Sequence, residues 1–279
     1  MEFKSLQDGT FTMGEGDEAH EVTLTQTFKL GVHEVTQFQY EQVMGTNPSV
    51  FMGSDIPVDK VCGNDAIAPC RRLSALPAQK TPENVYHLPT EDQVEYARRA
   101  GTTTRFSSRD DESGFVKHAW NDESSDNTTH GVGGKQRNAW GLYDIHGNAC
   151  EWRQNWDGDY PRGCVTDPSR PASGSFRVLR GSGWHDIADE CRSAMGSRVI
   201  QSTRFSHCRF RVSLSSPAMQ PKPRQVRGAK DASTTDQGRS ADLHFPCPVT
   251  ILSRQATADE NTSHLGIILW TRINLEPNT

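Results

Sequence analysis

The sequence has no long apolar run, and its hydrophobic fraction is only 34%. No stretch approaches the roughly 18 apolar residues that a membrane helix needs, so a membrane partner is not expected. The first residues, MEFKSLQDGTF, lack the apolar core of a secretory signal peptide. A chain that begins at this methionine is therefore expected to be cytoplasmic.

A concentrated basic patch and paired cysteines are also missing. The 30 Lys and Arg are outnumbered by 35 Asp and Glu, giving a formal net charge of -5, so nucleic acid is not an expected partner. The 7 cysteines include no Cys-x-x-Cys pair, which argues against a paired-knuckle zinc site. Reduced, partly buried thiols are the plain interpretation.

The residues that are abundant favour a loop-rich fold with aromatic anchors: 23 Gly, 15 Pro and 6 Trp. Residues 10–32 alternate as strands do, with Val22 and Leu24 on one face and Thr23 and Thr25 on the other. Residues 176–184 and 209–214 also read as short strands, and residues 102–139 as long polar loops.

Three helices are predicted. Two begin with a capping box and end near a glycine: Thr36 with Gln39 and Gly45, and Thr90 with Gln93 and Gly101. The third runs from about Asn64 to Ala75, where Pro69 removes a backbone donor and is expected to kink or shorten it.

The composition changes at Pro217. Residues 217–279 are polar and contain proline, so we expect a linker or a largely disordered tail after a domain at 1–216. The short apolar run LGIILW at 265–270 is isolated and predicts a weakly packed segment rather than a second domain.

Eight stretches, in the same order, resemble the formylglycine-generating enzyme, or sulfatase-modifying factor, family. They are FTMG (11–14), HEVTQFQYEQVMG (33–45), PVDKV (57–61), LPTEDQVEYARRAG (88–101), NAWGLYDIHGNACEW (138–152), RVLRGSGW (177–184), CRSA (191–194) and RFRV (209–212). The resemblance covers about residues 9–214. It implies an α+β, irregular, loop-rich, modified C-type-lectin-like fold with two main helices, a small twisted antiparallel sheet and bound calcium.

In that family the segment GLYDIHGNACEW (141–152) wraps a calcium ion. The resemblance implies the side chains of Asp144 and Glu151 and the carbonyls of Gly147 and Ala149 as ligands. Calcium accepts carboxylate and carbonyl oxygens together. The plain alternative is that Asp144 caps a turn and Glu151 forms a buried hydrogen bond.

This segment departs from the family at Cys150 and Arg153. Further departures are Val94 in place of a tryptophan, Arg209 in place of a glycine, and the order Gly181-Ser182-Gly183 in place of Gly-Gly-Ser. Arginine at a tight glycine position requires ordinary backbone dihedrals.

Active members of the family oxidise a cysteine of a sulfatase peptide to formylglycine, using O₂ and a copper ion held by two cysteines. Counted from Trp184, the pair falls at positions 186 and 191, which are Asp186 and Cys191 here. Cys191 is the candidate catalytic residue, although counting back from Phe210 misses it. A hard carboxylate is a poor ligand for Cu(I).

One hypothesis is therefore a non-catalytic member, a monomer that binds a peptide, protein or small ligand through the 184–207 region. Related variable proteins with this fold display ligand-binding residues there. The candidate ligand-binding residues are Trp184, His185, Asp186, Arg204 and His207.

The alternative is a working copper-dependent oxidoreductase with a relocated cysteine such as Cys164. A third class, the iron-dependent sulfoxide synthases that share this domain, needs an added helical domain with a His cluster. The residues before FTMG do not contain one.

Overall fold

The computed structural model describes residues 1–76, 85–108, 110, 112–161, 163–215 and the pair 268–269. The predicted tail from Pro217 lies outside the described residues, except that Ile268–Leu269 forms a short strand. No helix in these ranges is both long and apolar enough to cross a membrane.

The helices begin where their capping residues predict. Helix α1 (Gln37–Met44) and helix α3 (Glu91–Arg99) each start after a threonine that completes a capping box. Helix α1 ends at Gly45 in the left-handed region, whereas α3 ends one residue before the predicted glycine, at Ala100 with φ 47°. A four-residue helix, α4 (Glu112–Phe115), interrupts the polar loops after α3.

Helix α2 (Gly63–Ala75) contains Pro69 and has 13 residues, one more than the predicted range from about Asn64 to Ala75. The expectation of a shortened helix was therefore wrong. Ala66, Pro69 and Cys70 are buried on one face, so tertiary packing offsets the backbone hydrogen bond that proline cannot donate.

The strands are short and form three sheets. One sheet has the order β1-β4-β11-β5, the second β10-β6-β8-β9-β12 and the third β2-β3-β7. The strands are β1 (Phe3–Leu6), β2 (Gly9–Met13), β3 (His20–Leu24), β4 (Phe28–Gly31), β5 (Val85–His87), β6 (Cys150–Trp156), β7 (Val165–Thr166), β8 (Phe176–Arg180), β9 (Gly196–Ile200), β10 (Cys208–Arg209), β11 (Ser213–Ser215) and β12 (Ile268–Leu269).

Two of these pairings are parallel, β10 with β6 and β3 with β7, and the other pairings are antiparallel. Strand β3 buries Val22 and Leu24 and leaves Thr23 less buried, as its alternation predicted. The chain is thus α+β and loop-rich, as expected. It has the three helices that the residues predict, where the resemblance implied two, and three small sheets in place of one.

The larger core cluster joins helices α1 and α2 to the five-stranded sheet through Tyr40, Cys70, Trp152 and Phe210. A second cluster packs α3 against the N-terminal strands. Trp152 is fully buried, and its indole N–H donates to the carbonyl of Val61 at 3.0 Å. The 141–152 segment therefore runs directly into the centre of the core.

Candidate functional site

The 141–152 segment curls through positive φ angles. Asp144 (51°), Gly147 (70°) and Asn148 (57°) all lie in the left-handed region. A Cβ on Gly147 would sit 2.2 Å from the carbonyl oxygen of Trp120, so only glycine fits there. The predicted turn therefore forms where Gly147 and Asn148 supply conformational freedom.

The Asn148 side chain fixes this curl to its surroundings. Its Oδ1 accepts from the backbone N–H of His130 at 3.1 Å and from the Thr129 hydroxyl at 3.2 Å. Its Nδ2 donates to Oε2 of Glu34 at 2.9 Å. Glu34, which sequence reasoning did not single out, is thereby part of the site.

Glu151 is buried and lies between two guanidinium groups. Arg211 Nε is 2.9 Å from both carboxylate oxygens, and Arg211 Nη2 is 2.8 Å from Oε1. Arg153 Nη1 donates to Oε2 at 2.9 Å. Burial opposes ionisation, but these two cations hold the pKa of Glu151 below its usual value.

Asp144 is buried with one carboxylate oxygen engaged. Oδ2 accepts the backbone N–H of Gly133 at 2.7 Å, while Oδ1 has no hydrogen-bond partner among the described residues. Burial raises the pKa of Asp144 to about 6. Burial likewise raises the pKa of Glu34 to about 8, against the lowering effect of the Arg209 charge.

These contacts do not fit the calcium shell that the resemblance implies. Both oxygens of Glu151 are held by arginines, and the carbonyl of Gly147 accepts the N–H of Ala149 at 2.7 Å. In the described ranges, no three His, Cys, Asp or Glu side chains are arranged to hold a metal ion. The segment is held by guanidinium groups and backbone contacts.

Four of the five predicted ligand-binding residues come together. The rings of Trp184 and His185 are 5.0 Å apart, and those of His185 and His207 are 4.8 Å apart. Asp186 Oδ1 is 3.5 Å from His185 Nε2. Arg204 is directed elsewhere: it pairs with Asp65 and donates to the carbonyl of Lys60 at 3.1 Å.

Two phenylalanines that the sequence did not single out extend this group. Phe51 packs edge-on against Trp184 at 6.4 Å, and Phe205 stacks on His207 at 5.0 Å. We call Phe51, Trp184, His185, Phe205 and His207 the aromatic surface. In sequence it is flanked by exposed Val50, Met52 and Ile187. The apolar residues beside Phe51 and Asp186 in the sequence were the available signal.

Cys191 is buried in a small apolar cluster with Phe106, Phe115 and Ala119. Burial, reinforced by the charge of Asp186, raises the pKa of its thiol to about 12. The carboxylate of Asp186 caps a turn, with Oδ2 accepting the N–H of Gly183 at 2.6 Å. A neutral thiol and an engaged carboxylate do not fit a Cu(I) dithiolate site.

The other cysteines lie elsewhere. Cys164, the suggested relocated ligand, is exposed beside β7. Cys150 and Cys208 are buried register neighbours on β6 and β10. Burial raises the pKa of both thiols, that of Cys208 to about 12.

Sequence reasoning also missed a cavity of about 170 Å³ beside α3 and β8. Glu91 and Arg180 line it and form a buried ion pair at 2.7 Å. Tyr160 donates a hydrogen bond to Glu91 at 2.5 Å. The predicted helix-start role of Glu91 gave no hint of these partners, which lie far along the chain.

Comparison with known proteins gives a family model, described as the sulfatase-modifying factor enzyme 1-like domain, that matches residues 2–215. The chain is similar to chaperone protein LppX of Paenibacillus barcinonensis, 27% identical over 224 residues, 64% of this chain and 77% of that protein. It is also similar to the formylglycine-generating enzyme of Streptomyces coelicolor, 31% identical over 146 residues, 47% of this chain and 43% of that enzyme.

Solved structures agree with this assignment. Treponema denticola variable protein 1 superposes with a TM-score of 0.70 at 30% identity, covering 76% of this chain and 94% of that one. PvdO from Pseudomonas aeruginosa superposes with a TM-score of 0.65 at 26% identity, also covering 76% of this chain and 94% of that one.

Proposed function

The chain belongs to the sulfatase-modifying factor enzyme 1-like family, and we propose that it is a member that binds a ligand and does not oxidise cysteine. The observation that carries the proposal is the pair of positions 186 and 191. Asp186 is a carboxylate that caps a turn, and Cys191 is a buried thiol. Copper chemistry of the family's kind requires two accessible thiolates at these positions.

The aromatic surface is the proposed binding site. Ring faces and edges of Trp184, His185 and Phe51 offer apolar contact, and Asp186 adds a negative charge at their edge. Aromatic side chains supply much of the binding energy of protein surfaces. Such a surface suits a ligand with an apolar or flat group beside a hydrogen-bond donor. The chain shares its fold with a variable protein, and the resemblance implies that such proteins display ligand-binding residues in this region.

The decisive experiment incubates the purified full chain with Cu(I), O₂ and a peptide that carries a Cys-x-Pro-x-Arg motif. Mass spectrometry then follows conversion of the cysteine to the aldehyde. We expect no conversion, while the Streptomyces coelicolor enzyme, run in parallel, serves as the positive control. Aldehyde formation by this chain would overturn the proposal.

Copper-dependent oxidation is the second candidate, favoured by the cross-strand neighbours Cys150 and Cys208. Both thiols are buried, and their raised pKa values keep them protonated at neutral pH. Titration with Cu(I) against a competing chelator separates the candidates. Tight binding that disappears in a Cys150→Ser, Cys208→Ser double variant would favour the oxidase.

A further inference from the structure

The contacts of Glu151 use all of its acceptor positions. An ionised carboxylate offers about four lone-pair sites. Three N–H groups make four contacts with them: Arg211 Nε–H is shared by both oxygens at 2.9 Å, Arg211 Nη2–H binds Oε1 at 2.8 Å and Arg153 Nη1–H binds Oε2 at 2.9 Å. Both carboxylate oxygens are therefore occupied by arginine.

Arg211 also donates hydrogen bonds to neighbouring backbone carbonyl oxygens. Its Nη1 donates to Gly31 at 3.2 Å, and its Nη2 donates to Tyr143 and Asp144, each at 3.2 Å. One guanidinium therefore takes up a carboxylate and three carbonyls. Carboxylates and backbone carbonyls are the oxygen ligands with which proteins bind calcium.

We propose that Arg211 and Arg153 hold the 141–152 segment in the place of a calcium ion, so that this domain folds without calcium. A calcium ion at Glu151 would have to displace both guanidinium groups from their shared carboxylate. Both buried guanidinium groups would then lose the carboxylate that pairs with them, which is costly.

The other carboxylates nearby do not make calcium a better partner for this segment than the two arginines. Oδ1 of Asp144 and Oε1 of Glu34 lack partners among the described residues, but the charge of Arg209 acts on both groups. Arg209 is itself fully buried and sits in β10 at a position without positive φ. A third guanidinium thus opposes a divalent cation at this place.

The first test compares the thermal unfolding of the full chain in EDTA and in millimolar CaCl₂, with MgCl₂ as the ionic control. We expect the same Tm in all three. Metal analysis after gel filtration from calcium buffer gives an independent readout. A Tm that rises with calcium alone, or calcium retained at one equivalent, would overturn the proposal.

The second test removes one guanidinium. Arg153→Ser removes one of the two guanidinium contacts to Oε2 of Glu151 and leaves that of Arg211 Nε. We expect a lower Tm that calcium partly restores. Arg177→Ser is the matched control, because it removes a largely buried guanidinium that donates to the carbonyl of Gln154 and contacts no carboxylate oxygen among the described residues. We expect the Tm of Arg177→Ser to be the same with and without calcium.

A calcium-insensitive Arg153→Ser protein would contradict the replacement of calcium by arginine. If that variant does not fold, the metal analysis of the wild-type chain still decides the question. The ligand-binding proposal does not depend on either result, because the aromatic surface shares no residue with this ion-pair group.

Discussion

Arg211 donates hydrogen bonds from Nε and Nη2 to the carboxylate of Glu151 at 2.8–2.9 Å, and both side chains are buried. The two residues are 60 positions apart. Through the same guanidinium, the last core strands are tied to β4 at Gly31 and to the loop at Tyr143. This contact holds an irregular fold together at its centre.

Arg211→Ala should therefore be among the most destabilising substitutions in the domain. It leaves Glu151 with one guanidinium in place of two and frees three buried carbonyls. Loss of one partner of a buried ion pair costs about 3–5 kcal/mol. Urea unfolding followed by tryptophan fluorescence measures this loss.

Arg204→Ala is the control for that experiment. Its ion pair with Asp65 is half exposed, and such pairs contribute about 0–1 kcal/mol. An equal loss in the two variants would contradict the special role of the Glu151–Arg211 contact.

Acid should weaken the fold through Glu91 and Glu151. Arginines hold the folded-state pKa of each below its usual value although burial opposes this. A depressed carboxyl pKa contributes stability that is present above the unfolded value, about 4.3, and is lost as the pH falls through the folded value. The free energy of unfolding, measured by urea titration between pH 7 and pH 3 (roughly the range that spans this transition), should drop steeply below the unfolded value.

Glu91→Gln provides the internal check on this pH dependence. The variant should be less stable than the wild type at neutral pH, and the difference should shrink as the pH falls. A difference that is constant with pH would mean that the Glu91–Arg180 contact does not depend on charge.

Glu34 should have the opposite pH dependence. Burial raises its pKa to about 8, so its contribution is fully present below the unfolded value and is lost as the pH rises through the folded one. Glu34→Gln removes this penalty and keeps an acceptor for Asn148. Its stability relative to the wild type should rise between those two pKa values, by at most about 1.4 kcal/mol per pH unit.

The exposed Glu41 of α1 gives the matched control. Glu41→Gln makes the same substitution on the surface and removes no buried charge. A stability difference for Glu34→Gln that follows that of Glu41→Gln at every pH would contradict the raised pKa of the buried carboxyl.

Thiol accessibility should separate Cys164 from the buried cysteines. Of the six cysteines in the described ranges, Cys164 is exposed and the other five are buried. Brief treatment of the native chain with iodoacetamide, followed by peptide mapping, should modify Cys164 and leave Cys191 intact. Unfolding in urea should expose all of them. Rapid alkylation of Cys191 in the native chain would contradict the burial of its thiol and favour the copper-dependent oxidase hypothesis.

Much of the local structure was predictable because its causes are local. Thr36 and Thr90 cap their helices through residues three positions away, and Val22 and Leu24 alternate within one strand. The helix over Pro69 was misjudged because a buried face, which depends on distant strands, outweighed a local defect.

The site was predictable only in part. Trp184, His185, Asp186 and His207 come from one segment and lie near one another in the structure, whereas Arg204 in the same segment pairs with Asp65. Phe51 joins the group from another part of the chain. In an irregular loop, tertiary contacts decide where a side chain points. The sequence shows no periodic pattern there from which the direction could be predicted.

The sequence by itself determined the family, the capped helices, the turn at Gly147 and the carboxylate at position 186, because each depends on residue identity or on near neighbours. The tertiary structure decided what Glu151 binds. Its partner Arg211 is remote in sequence, and only the folded chain brings both out of water. An ionised carboxylate that is buried needs a cationic partner. In this chain the partners of Glu151 are the side chains of Arg211 and Arg153.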